Sequence, residues 1–271
     1  MGVKMGKTIG FIGAGNMGGA ICGALVGSGL FAGADIFVYD KAANKAEELA
    51  SARGVKCADM KTAAGADFVL LAVKPNVLYG VIDDIKSFVG KDAVVISIAA
   101  GQSVAQIETA FSREIKLMRV MPNTPALVGE GMSALCPNKT LAANADEVGE
   151  VVKIFESLGK AEIVGENLMD AVTGVSGSSP AYVFMFIEAL ADSAVKCGLP
   201  RKDAYEFVAQ TVLGSAKLML ETGKHPGELK DMVCSPGGTT IAGVAELEKN
   251  GFRKAIFEAT DVCFNKCNNI K

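Results

Sequence analysis

The strongest chemical signal in this 271-residue chain is a glycine-rich segment near its start. The run Gly13-Ala14-Gly15-Asn16-Met17-Gly18 matches the pattern G-x-G-x-x-G, which alone is weak evidence for any function. Here it follows the strand-like run Ile9-Gly10-Phe11-Ile12 and opens a helical pattern, and Asp40 ends the next strand-like run 22 residues after Gly18. In this context the glycines serve a tight turn, close approach of the backbone to a pyrophosphate, and helix–strand packing. The segment therefore predicts a dinucleotide site at a helix N-terminus, whose amides and dipole attract phosphate.

Asp40 bears on which dinucleotide the site takes. Its carboxylate would accept hydrogen bonds from a ribose diol and repel a 2′-phosphate, which favours NAD. Lys41 and Lys45 follow closely, and their charges would offset that of the carboxylate. A further interpretation makes Asp40 a solvated residue at the end of a strand. The sequence leaves the choice between NADPH and NADH open.

Three turns that follow predicted strands are candidate parts of the site, because ligands of parallel sheets bind beyond the carboxyl ends of the strands. The first is Ala72-Val73-Lys74-Pro75-Asn76. The second is Ile98-Ala99-Ala100-Gly101, whose small residues would admit a flat nicotinamide ring. The third is Met121-Pro122-Asn123-Thr124-Pro125, in which two prolines fix a rigid loop. This last loop is either part of the site or a shaped turn without a ligand.

The segment Cys234-Ser235-Pro236-Gly237-Gly238-Thr239-Thr240 is the most informative part of the second half of the chain. Small and hydroxyl residues precede a helical pattern there, so amides and hydroxyls converge at a helix N-terminus, an arrangement that suits a carboxylate. The alternative is an ordinary N-cap, since Thr before a helix is common. His225, the only imidazole, lies in a turn-like segment where a solvated side chain is more usual than a catalytic one.

Composition excludes several classes of protein. The 27 Lys and Arg residues against 30 Asp and Glu give a net charge of −3 with no dense basic stretch, so we expect no nucleic-acid partner. One His rules out a His-rich zinc site, and the seven cysteines form no C-x-x-C pair, so we expect no metal and reduced thiols. Positions 8–34 carry no charge, but nine of them are Gly, which favours a buried strand and a packed helix over a membrane span. No signal-peptide pattern is present, and we expect a cytoplasmic protein.

The element pattern predicts an α/β protein of two domains, 1–165 and 166–271. In the first, apolar strand-like runs at 8–12, 35–39, 68–73, 93–98 and 115–120 alternate with helical patterns, which is typical of a parallel Rossmann-type sheet covered on both faces. The second is all-helical. Its segment 180–197 contains the run 181–187, which is apolar on nearly every face, and a helix that is apolar all round is buried in a core or in a subunit interface. We therefore expect the helical domain to dimerise.

The sequence resembles the pyrroline-5-carboxylate reductase family in motifs that span the whole chain. Two of these motifs lie in the helical half and are specific to the family: 170–182, DAVTGVSGSSPAY, and 231–241, DMVCSPGGTTI. The resemblance implies NADPH or NADH as cofactor, 1-pyrroline-5-carboxylate as substrate and L-proline as product. It also implies a homodimer through the helical domain, with dimers assembling into a ring in some members.

The resemblance further implies a role for each matched position. Thr240 would be the catalytic residue, with its hydroxyl near the ring nitrogen of the substrate. The substrate would be bound by Glu166, Ser235, Gly237, Gly238, Thr239 and Thr240. The cofactor would be bound by Ile12, Gly13, Ala14, Gly15, Asn16, Met17, Gly18, Asp40, Ala72, Lys74, Pro75, Ala99 and Ala100.

Two positions depart from the family's pattern. Met232 stands where many members carry a polar residue, and Asp59 stands where an Asn often contacts the adenosine half of the cofactor.

Two other functions remain as alternatives. A β-hydroxyacid-type dehydrogenase would also combine a Rossmann domain with helices, and it would use a lysine such as Lys74 or Lys196 as its base. A non-catalytic dinucleotide sensor would lack an organised substrate loop, and the segment 235–240 argues against that function.

Overall fold

The computed structural model describes residues 5–268. Positions 1–4 and 269–271, the outer ends of the two predicted domains, lie outside the described residues. Within the described range the chain divides into two compact units. The first unit contains residues 5–178 and 263–268, and the second contains residues 179–262.

The first unit is built on one eight-stranded sheet with the strand order β3-β2-β1-β4-β5-β6-β7-β8. Its strands are β1 Ile9–Ile12, β2 Ile36–Tyr39, β3 Lys56–Cys57, β4 Phe68–Leu71, β5 Val94–Ser97, β6 Lys116–Met121, β7 Gly131–Pro137 and β8 Gly159–Ile163. Every residue of β1, β4 and β5 is buried, because helices cover both faces of a parallel sheet and its central strands meet no water.

Strands β1 to β6 pair in parallel, and five of them, all but β3, lie at the predicted strand-like runs, but β7 runs antiparallel to β6. The connection over residues 122–130 is too short for the crossover of about a dozen residues that a parallel pairing needs. Strand β8 pairs in parallel with β7, after a helical crossover.

Over residues 5–178 the first unit contains eight α-helices: α1 Asn16–Ser28, α2 Ala43–Arg53, α3 Met60–Ala64, α4 Leu78–Ile85, α5 Val104–Phe111, α6 Lys139–Ala142, α7 Ala145–Glu156 and α8 Met169–Val172. The core consists of two large apolar clusters. Ile9 and Phe11 belong to one, with the inward residues of α1 and α7, and Ile12 belongs to the other, with those of α4 and α5. The alternation of side chains along β1 places them on opposite faces of the sheet.

The division of the chain at Ser178 lies beyond the position where the strand pattern ends. Met169 of α8 is 1% exposed and packs with Ala134 and Cys136 of β7, so the segment after β8 is held in the first unit. The domain boundary at 165/166 stays a prediction about where the helical domain begins.

The second unit contains α9 Ser179–Lys196, α10 Arg201–Thr222, α11 Pro226–Val233 and α12 Thr239–Lys249, together with most of α13 Phe252–Asn268. Only Ala191 of α9 is buried, although residues 181–187 of this helix are all apolar or aromatic. Burial of α9 within the chain's own core, one of the two predicted outcomes, is therefore wrong, and the subunit-interface outcome remains. None of the helices described is both long and apolar enough to cross a membrane.

Candidate functional site

The turn between β1 and α1 has a backbone path that only glycine permits. Gly13 has a φ of 113°, and its amide donates to the carbonyl of Tyr39 at 2.8 Å. A Cβ on Gly13 would lie 2.5 Å from the carbonyl oxygen of Ala72, and a Cβ on Gly18 would lie 2.6 Å from that of Gly13. Gly13 therefore lets the turn pack against the end of β4, and Gly18 lets α1 pack against the turn.

Gly15 differs from these two glycines because, among residues 5–268, no atom beyond its own chain neighbours lies within 4 Å of the position that a Cβ would take. It is the N-cap of α1, no side chain caps that end, and the first turn of the helix contains no acidic residue. The first amides of a helix need acceptors, and within the part of the chain that the structure describes no side chain caps this end. Open space above uncapped amides is what a pyrophosphate requires, so the residues present fit a dinucleotide.

Asp40 follows β2 and is tied to the glycine-rich turn. Its Oδ2 accepts a hydrogen bond from the amide of Ala14 at 2.8 Å, and its Oδ1 accepts one from the amide of Ala42 at 2.9 Å. The side chain is half-buried. The carboxylate is thus fixed at the carboxyl edge of β2 rather than moving freely in solvent.

The other predicted cofactor residues lie along the same edge of the sheet. The parallel register aligns Ile12 with Leu71 and Leu71 with Ser97, so the turns that follow β1, β4 and β5 leave the sheet side by side. Ala99 is 3% exposed, whereas Lys74 is exposed and precedes the short 3-10 helix that begins at Pro75. The structure brings these turns together, and their contacts with a cofactor remain predictions.

Glu166 is engaged by groups of the first unit. Its Oε1 accepts a hydrogen bond from the amide of Val104, the first residue of α5, at 2.6 Å, and one from Arg119 Nη1 at 3.2 Å. Arg119 is 4% exposed, and its Nη2 donates to Asp170 Oδ1 at 3.3 Å. These contacts within the first unit, which sequence analysis missed, fix the Glu166 carboxylate in place, and its contact with substrate remains a prediction.

Arg119, which contacts the candidate site residue Glu166, was missed by sequence analysis. The signal was present, since a charged side chain interrupts an otherwise apolar strand in Leu117-Met118-Arg119-Val120. A buried guanidinium requires acidic partners, and Glu166 and Asp170 supply them. Burial raises the pKa of the nearby Cys136 thiol; Glu166 also raises it, whereas Arg119 lowers it.

The proline-flanked loop after β6 meets the segment that follows α8. The Nδ2 of Asn123 donates to the carbonyl and to the Oγ of Ser176, each at 3.3 Å, and the Oδ1 of Asn123 accepts from the amide of Met132 at 2.9 Å. Residues Thr173–Gly177 form a π-helical turn, a rare conformation that is frequent at functional sites. Two motifs that are far apart in sequence are thus joined in the first unit.

The second unit presents the segment predicted to bind the substrate. Gly238 is the N-cap of α12 and has no side-chain cap, so the interpretation of this end as an ordinary threonine N-cap is wrong. Thr239 and Thr240 are the first two residues of the helix and are exposed. Gly237 has a φ of 69°, and a Cβ on Gly238 would overlap the Ser235 hydroxyl, which accounts for the two glycines. The end of α12 offers open amides and two hydroxyls.

His225 has a structural role. Its Nδ1 accepts a hydrogen bond from the amide of Gly227 at 3.1 Å, and the residue caps α11 at an exposed position. Across residues 5–268, no group of three or more His, Cys, Asp or Glu side chains is placed to hold a metal ion.

The fold and the glycine-rich edge define a Rossmann-fold oxidoreductase with an added helical unit. Two family models match the chain: "NADP oxidoreductase coenzyme F420-dependent" over residues 8–101 and "Pyrroline-5-carboxylate reductase dimerisation" over residues 166–270. Pyrroline-5-carboxylate reductase of Escherichia coli is 49% identical over 97% of both chains. The chain belongs to the pyrroline-5-carboxylate reductase family.

Relatives from distant organisms agree with this assignment. The reductase of Arabidopsis thaliana is 41% identical over 93% of this chain and 91% of its own. The crystal structure of Plasmodium falciparum pyrroline carboxylate reductase with NADP bound superposes with a TM-score of 0.90 at 32% identity, covering 99% of both chains. The predicted fold class, with its helical dimerisation domain, is confirmed.

Proposed function

We propose that this chain reduces 1-pyrroline-5-carboxylate to L-proline with NADPH or NADH, the last step of proline biosynthesis. Membership of the family supports the reaction. The observation that carries the proposal on this chain's own residues is the uncapped start of α12, where amides and the hydroxyls of Thr239 and Thr240 face solvent without a side-chain partner at the N-cap.

The cofactor binds at the carboxyl edge of the first unit's sheet. The uncapped amides of α1 hold the pyrophosphate, and the open space at Gly15 lets the backbone approach it. Asp40 lies at the ribose end, and the small residues Ala99 and Ala100 border the nicotinamide ring. Bound there, the reduced nicotinamide supplies the hydride.

The substrate carboxylate is held by the amides and hydroxyls of residues 235–240. A helix N-terminus favours a negative charge, and hydrogen bonds from amides to a carboxylate are stronger than those between neutral groups. Thr240 places its hydroxyl near the ring nitrogen, where it orients the imine and relays a proton. Glu166 contributes to substrate binding through Oε2, the carboxylate oxygen that its hydrogen bonds to Val104 and Arg119 leave available.

Reduction of the imine depends more on how the substrate is positioned than on a strongly acidic side chain. The carbon of a protonated imine is already electrophilic, so these residues chiefly hold the ring in one orientation. Orientation of this kind is worth up to about 7–11 kcal/mol of barrier in favourable cases. A threonine hydroxyl, which does not ionise near neutral pH, is adequate for that task.

We further propose that the enzyme works in the cytoplasm as a homodimer formed through the helical domain, with dimers able to build a ring. The exposed apolar side chains of α9 and α10 support the dimer, since Phe184 is 64% and Phe207 is 66% exposed in the single chain. Such surfaces mark association sites.

The reaction is tested by comparing two cyclic imines. Purified protein should oxidise NADPH or NADH on addition of 1-pyrroline-5-carboxylate and yield L-proline. The matched substrate 1-pyrroline, which lacks the carboxylate, should react with a kcat/KM lower by about 10- to 150-fold, the worth of a hydrogen-bonded charge. Equal rates with the two imines would overturn the role of residues 235–240. No oxidation of either nucleotide would overturn the reaction.

A further inference from the structure

We propose that Asp40 makes this chain selective for NADH over NADPH, an inference that rests on the cofactor of the proposed function. In a Rossmann fold the adenosine ribose lies at the carboxyl end of the second strand. Asp40 directly follows β2, whose parallel partner β1 leads into the glycine-rich turn. The residue therefore stands where the nucleotide carries either a free 2′-hydroxyl or a 2′-phosphate.

The carboxylate is held in place by two backbone amides. The amide of Ala14 donates to Oδ2 at 2.8 Å and the amide of Ala42 donates to Oδ1 at 2.9 Å. Each carboxylate oxygen has about two acceptor sites, so one on each remains for the two hydroxyls of a ribose. To make room for a phosphate the side chain would have to turn away, and the Ala14 amide in the cofactor turn would lose its acceptor. The geometry thus favours a diol and resists a 2′-phosphate.

The neighbouring lysines do not neutralise this carboxylate by contact. Lys41 and Lys45 are both exposed, and within residues 5–268 no lysine or arginine nitrogen lies within 4.0 Å of an Asp40 oxygen. A phosphate at this position would therefore lie beside a carboxylate that has no ion-pair partner within residues 5–268.

A second carboxylate lies at the same edge. Asp59 follows β3, which pairs in parallel with β2, and the amide of Ala58 donates to the carbonyl of Val38 at 3.0 Å. The Oδ1 of Asp59 accepts from the Thr62 amide at 2.7 Å, and this hydrogen bond lowers the pKa of Asp59, which keeps the group ionised. Two carboxylates at the ends of β2 and β3 make this edge unfavourable for an added phosphate.

The test is a binding titration without imine, which separates it from the proposed reaction. NADH and NADPH are titrated into wild-type protein and into Asp40→Asn and Asp40→Ser, with dissociation constants taken from the fluorescence of the reduced nicotinamide. We expect wild type to bind NADH at least about tenfold tighter than NADPH, and both variants to reduce that ratio to about threefold or less. The side-chain oxygen of Asn can still accept from the Ala14 amide. Asp40→Asn should therefore remove the charge without disturbing the fold.

Glu47→Gln on α2 is the matched control, because it removes one exposed carboxylate and should leave the ratio unchanged. Wild-type protein that binds NADPH as tightly as NADH, or a ratio that Asp40→Asn and Asp40→Ser do not change, would overturn the inference. Failure to bind either nucleotide would overturn it together with the cofactor role. A clear NADH preference without turnover of the imine would overturn the proposed reaction alone.

Discussion

The two compact units bury their apolar residues to very different extents. In the first, two large clusters of Phe, Ile, Leu and Val side chains fill both faces of the sheet, and many of these side chains have no exposed surface. In residues 179–262 the buried apolar residues are Ala191, Ala204 and Val208, whereas Phe184, Phe207 and other large side chains face outward. The first unit completes its own core, and the second requires a second copy to cover its surface.

The units differ in their charges as well. Arg119 of the first unit is buried between Glu166 and Asp170, while Arg201 of the second pairs with Asp192 in solvent. A buried ion pair leaves an uncompensated charge when one partner is removed, whereas an exposed pair contributes little to stability. Of these two arginines, only Arg119 in the first unit should therefore contribute strongly to stability.

The largest expected effect is that of removing the buried guanidinium. Arg119→Met takes the positive charge from two carboxylates and should lower the free energy of unfolding by about 3–5 kcal/mol. Arg201→Met is the matched control and should leave stability unchanged. Chemical denaturation of both variants measures the difference, and equal stabilities would contradict the contrast in charge burial.

Removal of the Thr240 hydroxyl should impair turnover without impairing cofactor binding, because Thr240 lies in the second unit. Thr240→Ala should lower kcat by about a hundredfold, within the range for a positioned proton-transfer group, and leave cofactor affinity unchanged because the cofactor binds the first unit. Thr240→Ser should restore most of the rate, since it keeps the hydroxyl. Steady-state kinetics beside nucleotide titrations would show this split, and unchanged turnover in Thr240→Ala would remove the residue from the mechanism.

A charge on the exposed face of α9 tests whether that face is an interface. Phe184→Glu should weaken the dimer by at least about 2 kcal/mol, or roughly thirtyfold in its dissociation constant. Ile163→Glu is the control, because Ile163 is 53% exposed on β8 of the first unit. Light scattering across a dilution series gives both constants, and a dimer that survives Phe184→Glu unchanged would place the interface elsewhere.

A methyl group at Gly15 tests the cofactor turn with little effect on the fold. The added Cβ of Gly15→Ala would lie in open space among the described residues, so the variant should keep the melting temperature while weakening nucleotide binding by about tenfold or more through loss of close approach. Gly27→Ala lies farther along the same helix, is equally open, and should bind nucleotide normally with up to about 1 kcal/mol of added stability. Calorimetry and titration together distinguish the pair.

Sequence patterns predicted the elements whose residues are apolar and periodic. Helix α5 lies between the strand-like runs 93–98 and 115–120, where a helical pattern was expected, and its start is fixed by a capping box between Ser103 and Gln106. Strand β3, which has two exposed residues, and the largely polar α11 were missed because neither buries a stripe that produces a pattern. The antiparallel direction of β7 was missed because direction depends on the length and path of a connection.

The sequence predicted the glycine-rich turn of the site, but it predicted only part of the surrounding residues. The spacing from Gly13 to Asp40 predicted a dinucleotide site at the carboxyl edge of the sheet, because the conformation of a turn depends on residues that are close in sequence. The pairing of Arg119 with Glu166, and of Asn123 with Ser176, joins positions about fifty residues apart, and no local pattern specifies such contacts.

The most direct test of the account is the stoichiometry of a complete reaction. Wild-type protein is incubated with a limiting, known amount of 1-pyrroline-5-carboxylate and excess reduced nucleotide, and L-proline and oxidised nucleotide are both quantified. The account predicts one L-proline for each nucleotide oxidised, until the reactive enantiomer of the imine is consumed. Nucleotide oxidation without L-proline, or no oxidation by protein that binds the nucleotide, would contradict it.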